Sequence, residues 1–215
     1  MPAACLTAVR VGRLPNDSKD AFALGVKTLL NSELQEEGEM GNIYLVGFMG
    51  TGKSAVGREL AKIKQWRFID LDELIEKKAE KSIADIFAQK GEPYFRDLEK
   101  MTLNEIAAGK DSVVACGGGI VIDRENIATM KHQGVVICLK ASAEVILKRT
   151  SGKTHRPLLN VADPKKQIES LLQSRAADYA QADKSIETST LSLKEIVQNI
   201  LEFLDQNKSQ NKTEK

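Results

Sequence analysis

Cysteine is scarce in this chain of 215 residues: Cys5, Cys116 and Cys138 are odd in number and follow no metal-ligand spacing. That excludes a disulfide framework and a structural zinc, and it points to a reducing, cytoplasmic setting. Cys116 and Cys138 sit in or at the end of apolar runs, where a cysteine behaves as a small buried hydrophobe. There are two histidines, His132 and His155, and neither has the partner spacing of a ligand or a base. Aromatic residues make up 5% and Trp66 is the single tryptophan, which leaves no stacking platform for a nucleic-acid strand. Neither sign of charge prevails. The formal net charge is +1, so no field draws nucleic acid or an acidic membrane surface. No stretch approaches the roughly 18 consecutive apolar residues of a membrane span. No internal repeat is visible.

What is present is an ordinary globular composition, 42% apolar and 28% charged, at a length suited to one well-buried domain. Residues 1–39 stand apart as an N-terminal extension without a strong strand signal. They lack the long apolar centre of a signal peptide, and their acids fit an organelle transit peptide poorly. Met40, directly before the first apolar run, is expected to be the natural start. From there strand and helix alternate through a domain over 40–206, with a polar tail over 207–215. Apolar runs at 43–46, 67–70, 112–115, 135–139 and 185–187 read as five strands. Helices are expected over 53–64, 72–78, 82–90, 93–108, 123–132, 142–150, 163–180 and from Ser192 to about Asp205. Val56, Leu60 and Ile63 mark the buried face of the first of these. Such alternation implies a parallel sheet covered by helices on both faces.

The first strand runs into Gly47-Phe-Met-Gly50-Thr51-Gly52-Lys53-Ser54, a full phosphate-binding loop between a strand and a helix. In that setting backbone N–H groups and a helix N-terminus wrap a polyphosphate, Lys53 reaches its outer phosphates and the Ser54 hydroxyl can ligate Mg²⁺. The chain therefore reads as a binder of nucleoside triphosphate. Two further loaded turns fall at strand ends, where ligands of such sheets sit. Asp70-Leu71-Asp72 offers one carboxylate for Mg²⁺ and another to orient or deprotonate a hydroxyl. Alternatively, Asp72 merely caps its helix and Asp70 is solvated. Gly117-Gly118-Gly119 exposes successive N–H groups without Cβ interference, or is simply a flexible turn. Arg96, with Glu99 three residues on, Arg175, and Arg149 and Arg156, which bracket Thr150 to His155 within a polar segment over 150–163, supply anion chemistry. That segment is suited to a lid excluding water from the phosphoryl group. Each arginine taken singly is more readily a solvated surface charge.

Together these stretches resemble the bacterial shikimate kinase family of nucleoside-monophosphate-kinase-like P-loop proteins. The resemblance rests on the phosphate loop at 47–54, Phe68-Ile-Asp70-Leu-Asp72, Phe95-Arg96-x-x-Glu99, the triple glycine and Arg156-Pro-Leu-Leu159, and it spans about residues 43–190. It implies a three-layer α/β/α kinase with a five-stranded parallel sheet and a lid. It also implies phosphorylation of the 3-hydroxyl of shikimate by MgATP, in aromatic amino acid biosynthesis. Lys53 would steady the phosphoryl group, while Ser54 and Asp70 hold Mg²⁺ and Asp72 contacts shikimate and acts as the base. Arg96, Arg175 and Gly117, Gly118 and Gly119 would grip shikimate, which suits a small anionic polyol. Gly50, Thr51, Gly52, Lys53, Ser54 and Ala55 would cradle ATP, with Arg156 on the phosphates as part of the catalytic set and Arg149 near the adenine. Ala55 and Cys116 replace residues that are usually Thr in the family. A monomer without nucleic-acid or membrane partners is expected. A gluconate kinase and a nucleotide-binding module without turnover are the competing readings.

Overall fold

The computed structural model describes residues 41–151 and 161–213. The chain divides into units Met1–Glu39 and Met40–Lys215, and the described residues belong to the second. The extension over 1–39 and most of the 150–163 segment, including Arg156, lie outside the described residues.

In chain order the elements are β1 (Asn42–Val46), α1 (Lys53–Lys64), β2 (Arg67–Asp70), α2 (Leu71–Ala79), α3 (Ile83–Ala107) and β3 (Ser112–Ala115). A 3-10 turn (Ile120–Ile122), α4 (Arg124–His132), β4 (Gly134–Lys140) and α5 (Ala143–Thr150) come next. They are followed by α6 (Pro164–Ser174), α7 (Ala176–Tyr179), β5 (Lys184–Glu187) and α8 (Leu193–Thr213). The five strands form one sheet in the order β2-β3-β1-β4-β5, all parallel, with Tyr44 of β1 registered on Val114 of β3 and Val136 of β4.

Alternation along the strands splits the apolar residues between two faces, because successive side chains point to opposite sides. Ile43, Leu45, Val113, Ile137 and Leu139 pack with Val56, Leu60 and Ala61 of α1 and Ile196, Val197 and Ile200 of α8. Tyr44, Val46, Val114 and Val136 pack with Leu71 and Ile75 of α2, Phe95 and Leu103 of α3, and Met130 of α4. Three layers result. Ile63 departs from expectation: it is 51% exposed in the last turn of α1, and the small residues Gly57 and Ala61 take the buried face instead. A Cβ on Gly57 would lie 2.6 Å from the Phe68 ring, so the helix seats there without a side chain.

Helix starts follow local chemistry. The Ser142 side chain accepts from the Val145 N–H and Asp163 from the Lys166 N–H, with Pro164 beginning α6. Each such cap is worth about 1 kcal/mol. At α8 the cap is reciprocal: Glu195 N–H donates to Ser192 Oγ, and Ser192 N–H donates to the Glu195 carboxylate. Gly91, with φ 80° and ψ 171°, divides α3 into two helical segments, the second entered through Pro93. Two expectations are corrected. The helix over 163–180 is broken at Arg175, whose φ of −100° and ψ of 4° separate α6 from α7. The last helix continues to Thr213 rather than ending near Asp205, since no Gly or Pro interrupts it.

Candidate active site

The carboxyl ends of β1, β2 and β3 deliver three turns to one end of the sheet, as the topology requires. Gly47 leaves β1 at φ 132°, and a Cβ there would collide with the Leu139 carbonyl of the neighbouring strand. Only glycine passes. The Thr51 hydroxyl, buried, donates to the Phe48 carbonyl at 2.8 Å, which closes the loop on itself. Lys53 Nζ donates to the carbonyls of Gly47 at 2.7 Å and Phe48 at 3.0 Å. Helix α1 starts behind Gly52 with no side-chain cap and no acid in its first turn. Its leading N–H groups therefore favour an anion.

Beside the loop, Ser54 Oγ donates to Asp70 Oδ2 at 2.7 Å, while Asp70 Oδ1 accepts the Glu73 N–H at 3.5 Å. The cap of α2 is thus Asp70, not Asp72, and Asp72 stands in the first helical turn. A hydroxyl and a carboxylate oxygen are hard donors that suit Mg²⁺, which keeps most of its water and needs few protein ligands. Among the described residues no three His, Cys, Asp or Glu side chains gather as a metal cage. A cavity of about 610 Å³ takes in Gly50 to Ala55 with Asp70, Asp72, Gly118 and Arg149. Arg149 donates to the Gly50 carbonyl at 3.3 Å and to the Thr188 carbonyl at 2.8 Å, which holds it against the loop.

The triple glycine follows β3 and is enclosed by charge. A Cβ on Gly117 would lie 2.5 Å from Glu99 Oε1 and 2.9 Å from Asp72 Oδ1, and one on Gly119 would lie 2.5 Å from Arg96 Nη2. Gly118 packs against the backbone of the phosphate loop, and its carbonyl accepts from Arg175 Nη1 at 3.2 Å and Tyr179 Oη at 2.6 Å. Arg175, 9% exposed, also lies 5.9 Å from the centre of the Phe48 ring. Arg96 bonds Glu99 Oε2 at 2.7 Å and Glu92 Oε1 at 2.8 Å. Burial pushes the Glu99 carboxyl up to about 7; Arg96 draws it back and the Asp72 charge adds to the rise. Desolvation wins over the ion pair because Glu99 is 1% exposed and its Oε1 has no hydrogen-bond partner among the described residues. Burial works against the Arg96 charge too, yet Glu99 and Glu92 more than offset it and raise its pKa.

A buried arginine-carboxylate cluster abutting a phosphate loop narrows the choice of kinase, and comparison with known proteins decides it. The shikimate kinase family model matches residues 49–205. Shikimate kinase of Caldanaerobacter subterraneus is 44% identical over 162 residues, 75% of this chain and 95% of that protein. The Persephonella marina enzyme is 48% identical over 162 residues, 75% and 98% of the two chains. The chain belongs to the shikimate kinase family.

The fold of the shikimate kinase family agrees. The structure of shikimate kinase from Acinetobacter baumannii in complex with shikimate superposes with a TM-score of 0.75 at 38% identity, covering 78% of this chain and 94% of that one. A gluconokinase from Sinorhizobium meliloti reaches a TM-score of 0.55 at 19% identity over 81% and 97% of the chains, a likeness of fold alone.

Of the residues expected from the family pattern, the structure brings Gly50 to Ala55, Asp70 and Arg149 together around one cavity and gathers Asp72, Arg96, Arg175 and the triple glycine beside it, while Arg156 lies outside the described residues. Several neighbours carried no readable signal. Thr188 donates its N–H to the Lys140 carbonyl and its hydroxyl to the Thr51 carbonyl, and it reaches the phosphate loop only because β5 is the sheet edge beside β4. Leu191, Leu193 and Ile196 form the apolar wall of the cavity from the end of the chain. Tyr179 lay hidden in a helical stretch of ordinary composition.

Proposed function

We propose that this chain transfers the γ-phosphoryl group of ATP to the 3-hydroxyl of shikimate, giving shikimate 3-phosphate and ADP. The observation that carries this reading is the acceptor cluster: Asp72, Glu99, Arg96 and Arg175 gathered on the triple glycine directly beside the phosphate loop. Two arginines match one substrate carboxylate, and carboxylate oxygens match ring hydroxyls. Ser54 and Asp70 hold Mg²⁺, which when bound neutralises charge on the phosphates. Asp72 takes the proton from the attacking hydroxyl as the oxygen–phosphorus bond forms and the bond to the ADP oxygen breaks. Lys53 exchanges its loop carbonyls for phosphate oxygens; Arg156, outside the described residues, is the second cation that this reading assigns to the phosphates. Gly50 to Ala55 supply N–H groups to the phosphates. Arg149 and the wall of Leu191 and Leu193 take the nucleoside side.

Catalysis on this reading is positioning and charge neutralisation in a closed site. Both halves lie on one chain, which supports a monomer. The buried free thiols of Cys116 and Cys138 support a reducing compartment, the cytoplasm. Among the described residues no helix is long and apolar enough to cross a membrane. The test is ADP release by purified protein offered shikimate, quinate or gluconate with MgATP. Shikimate is expected to be the best acceptor; gluconate as the best acceptor, or no release with any, overturns the reading.

A further inference from the structure

The Gly118 carbonyl is held unusually firmly for a glycine turn. Two side chains donate to it, Arg175 at 3.2 Å and Tyr179 at 2.6 Å, and both are buried. Arg175 precedes α7 and Tyr179 ends it, with the Tyr179 N–H bonded to the Arg175 carbonyl at 3.0 Å. The phenol and the guanidinium therefore ride on a single helical turn. Gly118 also meets the phosphate-loop backbone, and a Cβ there would stand 3.5 Å from the Met49 nitrogen and 3.6 Å from the Gly47 oxygen. Burial pushes the Tyr179 hydroxyl up to about 12, so it stays a donor through the physiological range.

The peptide unit joining Gly118 to Gly119 is planar and trans, so its N–H points opposite to its C=O. A donor that fixes the Gly118 carbonyl towards α7 thereby fixes the Gly119 N–H away from it, on the residue where an added Cβ would meet the Arg96 guanidinium at 2.5 Å. We propose that Tyr179 is a positioning residue for acceptor binding. Its hydroxyl sets the plane of the Gly118–Gly119 peptide and holds Arg175 in register with it, so the acceptor meets a donor and a guanidinium already aligned. Arg175 alone leaves the plane free to follow the flexible guanidinium stem; the rigid phenol does not. This rests on the reading of the acceptor cluster given above.

Tyr179→Phe keeps the ring in its apolar setting and removes only the hydroxyl. We expect the dissociation constant for shikimate, measured by calorimetry without nucleotide, to rise about fivefold to tenfold, the loss of one buried hydrogen bond. The KM for shikimate should rise with it, while the KM for ATP stays within about twofold and kcat changes less than the acceptor KM. An unchanged shikimate affinity, or an equal loss for shikimate and ATP, overturns the proposal, the second result marking a merely structural tyrosine. Wild-type protein that binds no shikimate removes the acceptor reading and this proposal together. Wild-type binding with an unaffected Tyr179→Phe variant removes this proposal alone.

Discussion

Around the donor cavity the polar groups belong mostly to a contiguous stretch of backbone from Gly47 to Ala55, shaped by glycines and closed by Thr51 and Lys53 on loop carbonyls. The acceptor cluster instead collects charged side chains from α2, α3 and the α6–α7 break onto the turn after β3. Peptide groups carry no proton that titrates near neutrality, so the backbone cradle of the donor half keeps its character across pH. The acceptor half sets Asp72, Glu99 and, at its exposed edge, Glu92 against two arginines, and burial leaves Glu99 near 7. On the proposed reading the donor half is mostly fixed backbone, whereas the acceptor half carries a carboxyl that titrates near neutrality.

If the two halves are separable, Asp72→Asn should lower kcat by about a thousandfold, within the range of a lost general base, while ATP affinity changes less than about twofold. Steady-state kinetics with nucleotide titration checks this. A matching collapse of ATP binding would break the comparison, and unchanged turnover would take Asp72 out of the proton-accepting role.

The second expectation concerns Glu99. Its folded pKa stands above the ordinary carboxyl value, so folding binds protons. The stability it contributes is full below about pH 4.5 and is lost as the pH rises to about 7. Glu99→Gln removes that slope, and the difference between wild type and variant should span up to about 3 kcal/mol across this window. Denaturant melts at several pH values read it. Parallel curves would show that the acceptor half holds no strained carboxylate.

Arg175→Lys keeps the charge but loses the planar fork, so shikimate affinity should fall about thirtyfold, with ATP binding left alone. Calorimetry with each substrate separately gives the answer, and an equal loss of both would mean that the stacking of Arg175 on Phe48 serves the donor loop as well. The smallest expected effect lies on the donor side. Ala55→Thr restores a hydroxyl in the first turn of α1 and should tighten ATP by about threefold or less. A larger gain would show that the backbone cradle is less complete than its geometry suggests.

The same contrast explains what was legible in the sequence. The strands and the phosphate loop could be read because their determinants are contiguous: an apolar run, glycines at fixed spacing, a cap. Ser82, Asp123, Ser142 and Asp163 each cap the helix that follows them. Arg96 with Glu99 was readable as a pair one helical turn apart, but its burial was not, because burial depends on how α3 lies against the triple glycine. That Asp70 rather than Asp72 caps α2 turned on which carboxylate faces the Glu73 N–H, a matter of φ and ψ rather than of residue type. Thr188 and Tyr179 come from segments far along the chain, brought in by sheet order and by the break at Arg175. No local pattern marks such residues.

The corner at Asp70 has a consequence for how this protein tolerates change. One oxygen of Asp70 starts α2 and the other meets Ser54, while Asp72 follows within the same first turn. The proposed metal ligand and the proposed base are therefore indexed by a single helix origin, with no loop between them that could drift. An insertion or deletion of one residue there would rotate Asp72 by about 100° around the helix axis and shift it off the acceptor, leaving Ser54 and Asp70 in place. Length changes should be accepted elsewhere on the surface and refused here, whatever residues are used to make them.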